Sequence, residues 1–578
     1  MDGTGVTPAR AGRNDDMTTD LFDKHRATLD RAIEACRSRE SWTAFGESPA
    51  DHPGGERARA EGRTAFEALL GRPFDLGGPG APVAQPDEVS PYTGEPLGVC
   101  YPRADVEELF AAATRAWPRW READQRTRAG VCLEICERIY LRSFEFSHAA
   151  MHTAGQSFGM SYAGSGTNAL DRGIEAIAQA YAAMSRVPGT ARWSRAFGST
   201  TVEMTKRYRL MPKGVAVVIA CASFPAWNVY PALFASLVTG NPVIVKPHPG
   251  SVLQMALAVR VCREVLAEAG FSPELVGLAV DTAAEPVTKL LVRHPATRIV
   301  DFTGSAAFGS WVEANAFPAV AYTETSGANS VLVHSVGELQ PVLRALAGSL
   351  CLFSAQMCTS PQNIYVPRGG VPTAGGTVSA ADFAAGLAEA VQAISTVPRR
   401  AAAVLATVQS PNTLRLLEEV HDRAAARGRI VLEPRPYRHP DHPKARTSGP
   451  LLAQVDIADH DLYGEERFGP VAFVIDCDDA DQALERATRD ARERGAITAF
   501  AYATDEAYLD RVEAGYATAG AAVTCNLTGP MPLNFSAAYS DYHVTGLNPA
   551  GNASLTDDSF VTGRFRVTQS RRPAVTGH

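Results

Sequence analysis

Apolar and polar positions follow two different periods along this chain. Residues 21–42 carry Leu21, Leu29, Ile33 and Cys36 on one side at helical spacing, which predicts an amphipathic helix. A Gly/Pro stretch over residues 77–86 predicts a linker that separates this N-terminal element from the rest. From residue 90 onward, strand-like apolar runs alternate with helical segments. Residues 215–222 form a continuous apolar run, as a strand buried on both faces does. A helix over 231–238, a strand over 242–245 and a helix over 252–269, stopped by Gly270, follow it. Strands over 276–280, 298–302 and 320–323 continue the series, with a helix over 286–292 between the first two. A second series then predicts helix 339–352, strand 363–366, helices 381–394 and 413–427, strand 472–475, helix 480–494 and strands 497–502 and 521–525. Residues 368–379 and the stretch around Pro440 are expected as surface loops. Such alternation predicts βαβ crossovers and doubly wound parallel sheets, hence an α/β fold in two successive domains.

Composition changes this picture little. A chain of 578 residues suits two or three domains, and 45% hydrophobic with 20% charged residues is ordinary for a globular protein. A net charge of −8 argues against a nucleic-acid surface or an anchor on anionic membrane. Residues 1–20 are polar and lack the apolar core of a signal peptide, so a cytoplasmic enzyme is expected. The ten cysteines show no CxxC pair and no Cys/His spacing of a zinc site, so no metal site is expected. Cys36, Cys132, Cys136, Cys262 and Cys477 read as small buried hydrophobes.

Cys358 differs from these. Its neighbours Ser354, Gln356, Thr359 and Ser360 are polar, whereas Cys351 sits among Leu350, Leu352 and Phe353. A thiol becomes a strong nucleophile as thiolate, which needs polar surroundings and some solvent access. Glu324, 34 residues earlier, directly follows a strand-like run, where it is either an exposed strand-end carboxylate or a general base. Asn228 in Pro225-Ala226-Trp227-Asn228 either caps a helix or donates its amide to a substrate oxygen. Gly304, Ser305 and Gly309 follow a strand and open a helix, an arrangement whose backbone amides face a phosphate or simply turn the chain. Lys246 alone reads as a snorkelling lysine, and Glu466 and Phe468 as a solvated acid and a core aromatic.

Four separated blocks resemble the aldehyde dehydrogenase superfamily, in the expected order. They are PAWN with Lys246-Pro247; FTGSAAFG from Phe302; ETSG from Glu324 with QMCT from Gln356; and EERFGPV from Glu465. The resemblance implies that family's fold, with a Rossmann-like dinucleotide-binding domain, an α/β catalytic domain and a small oligomerisation element. Residues 1–89 are then an N-terminal extension and linker, and 90–324 the NAD(P)-binding domain with oligomerisation strands at 196–212. Residues 325–545 become the catalytic domain, and 546–578 a C-terminal oligomerisation segment and tail. Cys358 is implied as nucleophile, Asn228 with the Cys358 N–H as oxyanion hole, and Glu324 as base for the hydrolytic water. Members that acylate coenzyme A usually lack that glutamate, so water is the implied acceptor.

The resemblance assigns Trp227, Gly304, Ser305 and Gly309 to the cofactor, Lys246 and His248 to its adenosine ribose, and Glu466 and Phe468 to its nicotinamide end. Pro249 stands where NAD-preferring members often carry an acid, which implies NADP, with Lys246 and His248 meeting the 2′-phosphate and NAD as the alternative. Tyr542-His543 lies where the family motif is poorly kept, and the histidine reads as structural. Within the superfamily, SFPAWNVYPALFASLVTGNPVIVKPHPG, SAQMCTSPQNIYVP and the N-terminal LFDKHRATLDRAIEACRSRESWTAFGESPAD look like the PaaN branch of phenylacetate degradation. That likeness implies a CoA-linked ring-opening semialdehyde as substrate, a separate ring-opening hydratase as partner, and a homo-oligomer.

Overall fold

The first helix, α1 (Gly12–Ser38), ends where Arg39 turns to φ 60°. The computed structural model describes residues 12–77, 83–84, 86–325, 327–543 and 559–574, the side chains of 12–19 and 83 excepted. Helix α1 lies against α2 (Gln125–Leu141) and α3 (Ala169–Ser185), and its Leu29, Ala32 and Cys36 share one apolar core with Ile135, Ile174 and Ile177. Lys24 and His25 both reach the buried Glu134, at 2.7 and 2.8 Å. The His25 bond, then those of Lys24 and Arg138, hold the Glu134 carboxyl down to about 2 against the cost of burial. The N-terminal element is therefore docked on the core and not set apart by a linker as expected. Most of that Gly/Pro stretch, residues 78–82 and 85, lies outside the described residues.

The expected strand–helix alternation after residue 90 fails over its first hundred residues. Helices Val106–Glu122, α2, Ser143–Ala154 and α3 follow one another instead. Their apolar periodicity is broken by polar residues that are nevertheless buried: Arg128, Glu134, Glu145, Asp171, Arg172 and Glu175. Each is stabilised by a partner the local sequence does not reveal, such as Arg128 Nε on Val238 O at 2.8 Å.

Next comes a hairpin, β1 (Thr190–Phe197) and β2 (Thr200–Pro212), turning at Gly198 with φ 61°. The apolar run then forms β3 (Val215–Ile219), followed by β4 (Val243–Lys246), β5 (Val276–Leu278), β6 (Thr297–Gly304) and β7 (Val320–Thr325). They make a five-stranded parallel sheet in the order β5-β4-β3-β6-β7. Helices α4 (Pro225–Val238) and α5 (Leu253–Glu268) connect its first strands. The order reverses between β3 and β6, so a crevice opens beyond their C-terminal ends. Glu324 sits at the end of β7 and Gly304 at the end of β6, on neighbouring strands to one side of that crevice.

The second series forms β8 (Ser330–Val333), β9 (Asn363–Pro367), β10 (Arg429–Leu432), β11 (Leu451–Asp456), β12 (Val471–Cys477), β13 (Thr498–Tyr502) and β14 (Ala522–Cys525). Their order is β10-β11-β12-β9-β8-β13-β14, parallel except for β10 against β11. Two expected loops differ. Residues 368–379 contain a small hairpin, Val371–Thr373 with Gly376–Val378, whose Val371 is buried. Past Pro440 the chain turns inward, and Thr447 and Ser448 are buried. Where the first sheet hands over to the second, only glycine fits at Gly327, since a Cβ there would lie 1.8 Å from Gly495 O.

Strand β15 (Phe565–Pro573) returns to pair antiparallel with β2, completing a three-stranded sheet β15-β2-β1. Arg564, just before it, is fully buried and bidentate to Asp301 of β6 at 2.6 and 2.8 Å. Removing one member of such a pair costs about 3–5 kcal/mol, because a charge stays buried alone. The pair ties the returning strand to the sheet that carries the crevice. Among the described residues no helix is long and apolar enough to cross a membrane.

Candidate active site

Cys358 reaches the crevice through an unusual turn. Helix α6 (Ala306–Asn315) belongs to the first sheet; helix α7 (Leu339–Cys351) leads into the second, and its last turn runs into Phe353, Ser354 and Ala355 at φ 49°, 49° and 50°. Three non-glycine residues in the left-handed region cost roughly 1–2 kcal/mol each, so the surroundings must hold them. Ser354 Oγ donates to Leu405 O at 2.9 Å, and Gln356 Nε2 donates to Phe353 O and Thr407 O at 3.1 and 2.8 Å. The buried Phe353 ring packs edge-on against Phe224. Beyond the turn, Asn329 donates to Cys358 O and Ser360 O at 2.8 and 2.9 Å and accepts from the Ile497 and Thr498 N–H groups at 3.0 and 3.1 Å. One buried amide thus fixes the cysteine segment to both β8 and β13.

A cavity of about 700 Å³ opens at this point. Cys358, Glu324, Asn228, Trp227, Gly304, Ser305, Glu466 and Phe468 all line it, so eight of the sequence-predicted residues converge. Lys246, His248 and Gly309 do not line it. A Cβ on Gly309 would lie 2.5 Å from Thr325 Cγ2, so this glycine lets α6 pack against β7. Helix α4 begins at Pro225, with Phe224 at its N-cap, so Asn228 lies inside the first turn and is not the cap. Its Nδ2 donates to Cys221 Sγ at 3.4 Å. Gln362 donates to Tyr463 O and Glu465 O, both at 3.0 Å, and accepts the Arg467 N–H, which orients the segment bearing Glu466 and Phe468.

Glu324 is fully buried and Cys358 half-buried. Burial, and after it the Glu324 carboxylate, push the Cys358 thiol well above its ordinary range. Glu324 and Cys358 also contact each other directly, and His543 joins them, with Nε2 at 3.3 Å from Glu324 Oε1 and 3.5 Å from Cys358 Sγ. One donor atom of each of the three residues falls within 4.8 Å of the others. This corrects the reading of His543 as merely structural. It also brings Cys, His and Glu donors together in a chain whose linear spacing shows no such cluster.

His543 is carried on a fixed segment. The buried Arg172 donates to Asp541 O at 3.2 Å and to Ser536 Oγ at 2.8 Å, and Tyr539 OH donates to Asp171 at 3.1 Å. Arg172 also lies over the Trp227 ring, whose edge contacts the His543 ring at a centroid distance of 6.1 Å. His543, Asn329, Gln362 and Arg172 were not recognised from sequence. Asn329, two residues past the ETSG block, and Gln362, three past QMCT, carry a local signal; His543 and Arg172 carry none.

Beyond the end of β6, Ser305 caps α6, its Oγ accepting the Phe308 N–H at 3.4 Å. The N–H groups of the first turn have no partner within the helix, which suits a phosphate. Lys246, buried at the end of β4, pairs with Asp281 at 2.6 Å. Desolvation lowers the Lys246 pKa and the Asp281 charge opposes it. His248 Nδ1 accepts the Gly250 N–H at 3.0 Å. Desolvation of its ring, then the Lys246 charge, bring the His248 pKa down to about 4. Both effects reduce the charge that His248 brings beside Lys246.

The profile of the Aldehyde dehydrogenase family matches residues 82–532. Vanillin dehydrogenase of Pseudomonas fluorescens is 26% identical over 478 residues, covering 80% of this chain and 90% of that protein. The crystal structure of an NAD-dependent aldehyde dehydrogenase from Burkholderia multivorans is 42% identical with a TM-score of 0.91, covering 96% of this chain and 99% of its own. The structure of 1-pyrroline-5-carboxylate dehydrogenase from Thermus with bound NAD shares the fold at a TM-score of 0.70 and 18% identity, covering 92% of this chain and 99% of its own.

Proposed function

Because the chain belongs to the aldehyde dehydrogenase family, whose members are NAD(P)-dependent aldehyde oxidoreductases, we propose that it oxidises an aldehyde to the free acid through a thioester on Cys358. The observation that carries this reading is the meeting of Cys358 and Glu324 in one cavity with Asn228 and the nicotinamide-side pair Glu466 and Phe468. The Cys358 thiolate attacks the carbonyl carbon. The Asn228 amide and the Cys358 N–H stabilise the oxyanion that forms. When bound, the cofactor supplies the hydride acceptor. Ser305 with the first turn of α6, Trp227, Lys246, Glu466 and Phe468 would hold it. Glu324, shielded from bulk water, then takes a proton from the water that releases the acid. Its retention favours water over coenzyme A as acceptor.

The proposed substrate is the one the PaaN likeness implies: the CoA-linked semialdehyde from oxygenated phenylacetyl-CoA, oxidised to 3-oxo-5,6-dehydrosuberyl-CoA. The cavity supports an extended acyl chain, since Met160, Phe224, Trp227, Met357 and Phe535 line it. Glu47 from the N-terminal extension also lines it, which gives that extension a part in substrate selection. A separate ring-opening hydratase would supply this substrate. A homo-oligomer is proposed on the half-exposed Phe197, Val202 and Val567 of the three-stranded sheet. NADP is the proposed preference, because Pro249 offers no carboxylate to repel a 2′-phosphate. Asp281 already balances Lys246, so the preference is expected to stay under about tenfold in kcat/KM. The test is a panel of free and CoA-linked aldehydes with each cofactor, with and without added coenzyme A. Free acid as product supports the reading; thioester formed only with added coenzyme A would replace it with an acylating enzyme.

A further inference from the structure

Cys358 and Glu324 pose an electrostatic problem. The nucleophile must ionise within 4.8 Å of a buried carboxylate, and both burial and that carboxylate oppose it. Among the described residues, the group placed to offset a second negative charge is His543, whose single nitrogen Nε2 faces both atoms, at 3.5 Å from sulfur and 3.3 Å from the carboxylate oxygen. We propose that His543 is a catalytic residue that takes the Cys358 proton and, as imidazolium, holds the thiolate beside Glu324. The inference rests on the thioester reading above and adds the step that precedes it.

In that step the S–H bond breaks and an N–H bond forms on Nε2. The sulfur keeps the electron pair, which then attacks the carbonyl carbon, and no oxidant or reductant is involved. The Glu324 carboxylate accepts hydrogen bonds only. A neutral ring with its proton on Nδ1 would point a lone pair at it, whereas a protonated Nε2 makes a charge-assisted bond there. The nitrogen that receives the proton is therefore the one that faces Glu324. The arrangement differs from a Ser-His-Asp triad, in which the acid holds the opposite ring nitrogen. Here base and carboxylate meet at one atom, and Glu324 keeps an oxygen for a water.

Among the described residues, the charged and titratable groups around the pair are Glu324, Glu466 and Cys221 on the thiol side, with Arg172 beyond the Trp227 ring. Arg172 is itself paired with Glu175 at 2.9 Å, so it does not replace the imidazolium. Its bonds to the 536–541 segment keep the ring in place.

The experiment is alkylation of the cofactor-free enzyme by iodoacetamide from pH 5 to 10, with modification at Cys358 separated from that at Cys221 and Cys351 by fragment mass spectrometry. The parent should react at its plateau rate below the ordinary thiol pKa of about 8.5. His543→Gln should move the apparent pKa up by about 1–3 units, the usual effect of one close charge. At pH 7 its burst of reduced cofactor should slow by tenfold or more and recover as pH rises. Equal alkylation profiles in the parent and His543→Gln would overturn the proposal. Should His543→Gln fail to fold, the parent decides alone, since a single rise above pH 9 would overturn it as well. A shifted profile with no aldehyde oxidised by the parent would sink the dehydrogenase reading and leave the Cys–His pair standing. Normal oxidation with an unshifted profile would do the reverse.

Discussion

Asn329→Ala separates positioning of the nucleophile from the chemistry itself. Asn329 is 1% exposed and makes four hydrogen bonds, two to the carbonyls of Cys358 and Ser360 and two from the N–H groups of Ile497 and Thr498. At a net value of about 1 kcal/mol each, their loss amounts to about 4 kcal/mol, and water entering the vacated space returns part of it, leaving about 2–4 kcal/mol. Half of the set acts directly on the cysteine segment. That segment already carries three left-handed residues, so release lets it relax away from the cavity. A displacement near 1 Å costs about a hundredfold in rate, so kcat should fall by roughly 10- to 100-fold. Cofactor affinity should change by less than about threefold, because Ser305 and Lys246 lie on the other sheet. Stopped-flow measurement of the burst of reduced cofactor, beside thermal unfolding, reads both effects. Asn329→Asp is the sharper variant. It keeps an acceptor for Ile497 and Thr498 but turns an acidic oxygen toward two carbonyls, so its burst should be at least as slow as that of Asn329→Ala. A parental burst rate in Asn329→Asp would refute the claim that this amide positions Cys358.

Other consequences follow from the same geometry. Glu324→Gln should give a burst of reduced cofactor near the parental amplitude followed by steady-state turnover slowed by about 10²–10⁴-fold, the usual contribution of a general base; a missing burst would place Glu324 before acylation. Asp281→Asn removes the negative charge beside Lys246 and should raise the NADP-to-NAD ratio of kcat/KM by about 10-fold, whereas Pro249→Glu should lower it; unchanged ratios in both would mean that other residues read the 2′ position. His152 bears on acid stability. Burial, then His442 and His148, lower its pKa to about 4, below the unfolded value near 6.5, so the unfolded chain binds the extra proton and stability falls as pH drops from 6.5 toward 4. At pH 5 that is about 2 kcal/mol, and His152→Gln should flatten the fall between pH 7 and pH 5 by this amount in denaturant midpoints; an identical pH slope would dismiss the contribution.

What the sequence reveals depends on whether a contact is local. Cys358, Glu324 and Asn228 stand in short blocks whose wording identifies them, and the same blocks lead to the cavity that gathers them. The strands of the first sheet are legible because parallel strands buried on both faces read as apolar runs. The helices between residues 106 and 185 are not, because their core faces contain Arg128, Glu134, Arg172 and Glu175, whose partners lie far along the chain or on the same buried face. Strands β10 and β11 are missed for a related reason: β10 is a half-exposed edge, and Gln454 breaks the apolar run of β11. His543 is the extreme case. It lies 219 residues from Glu324 and 185 from Cys358, in a stretch with no motif, and only folding brings its Nε2 to them. The pairing of Lys246 with Asp281 is equally invisible, and it tempers a cofactor preference argued from Pro249 alone.

The chemistry turns on a covalent thioester on Cys358, which can be trapped. Glu324→Gln, mixed with aldehyde and oxidised cofactor and quenched in acid during the burst, should yield a peptide bearing the acyl mass of the substrate. Cys351 and Cys358 share one tryptic peptide, so fragment ions must assign the site. The acyl group is expected on Cys358, near one per active site and absent without oxidised cofactor. Acyl mass on Cys351 or Cys221, or acid formed at the parental rate with no adduct, would contradict it.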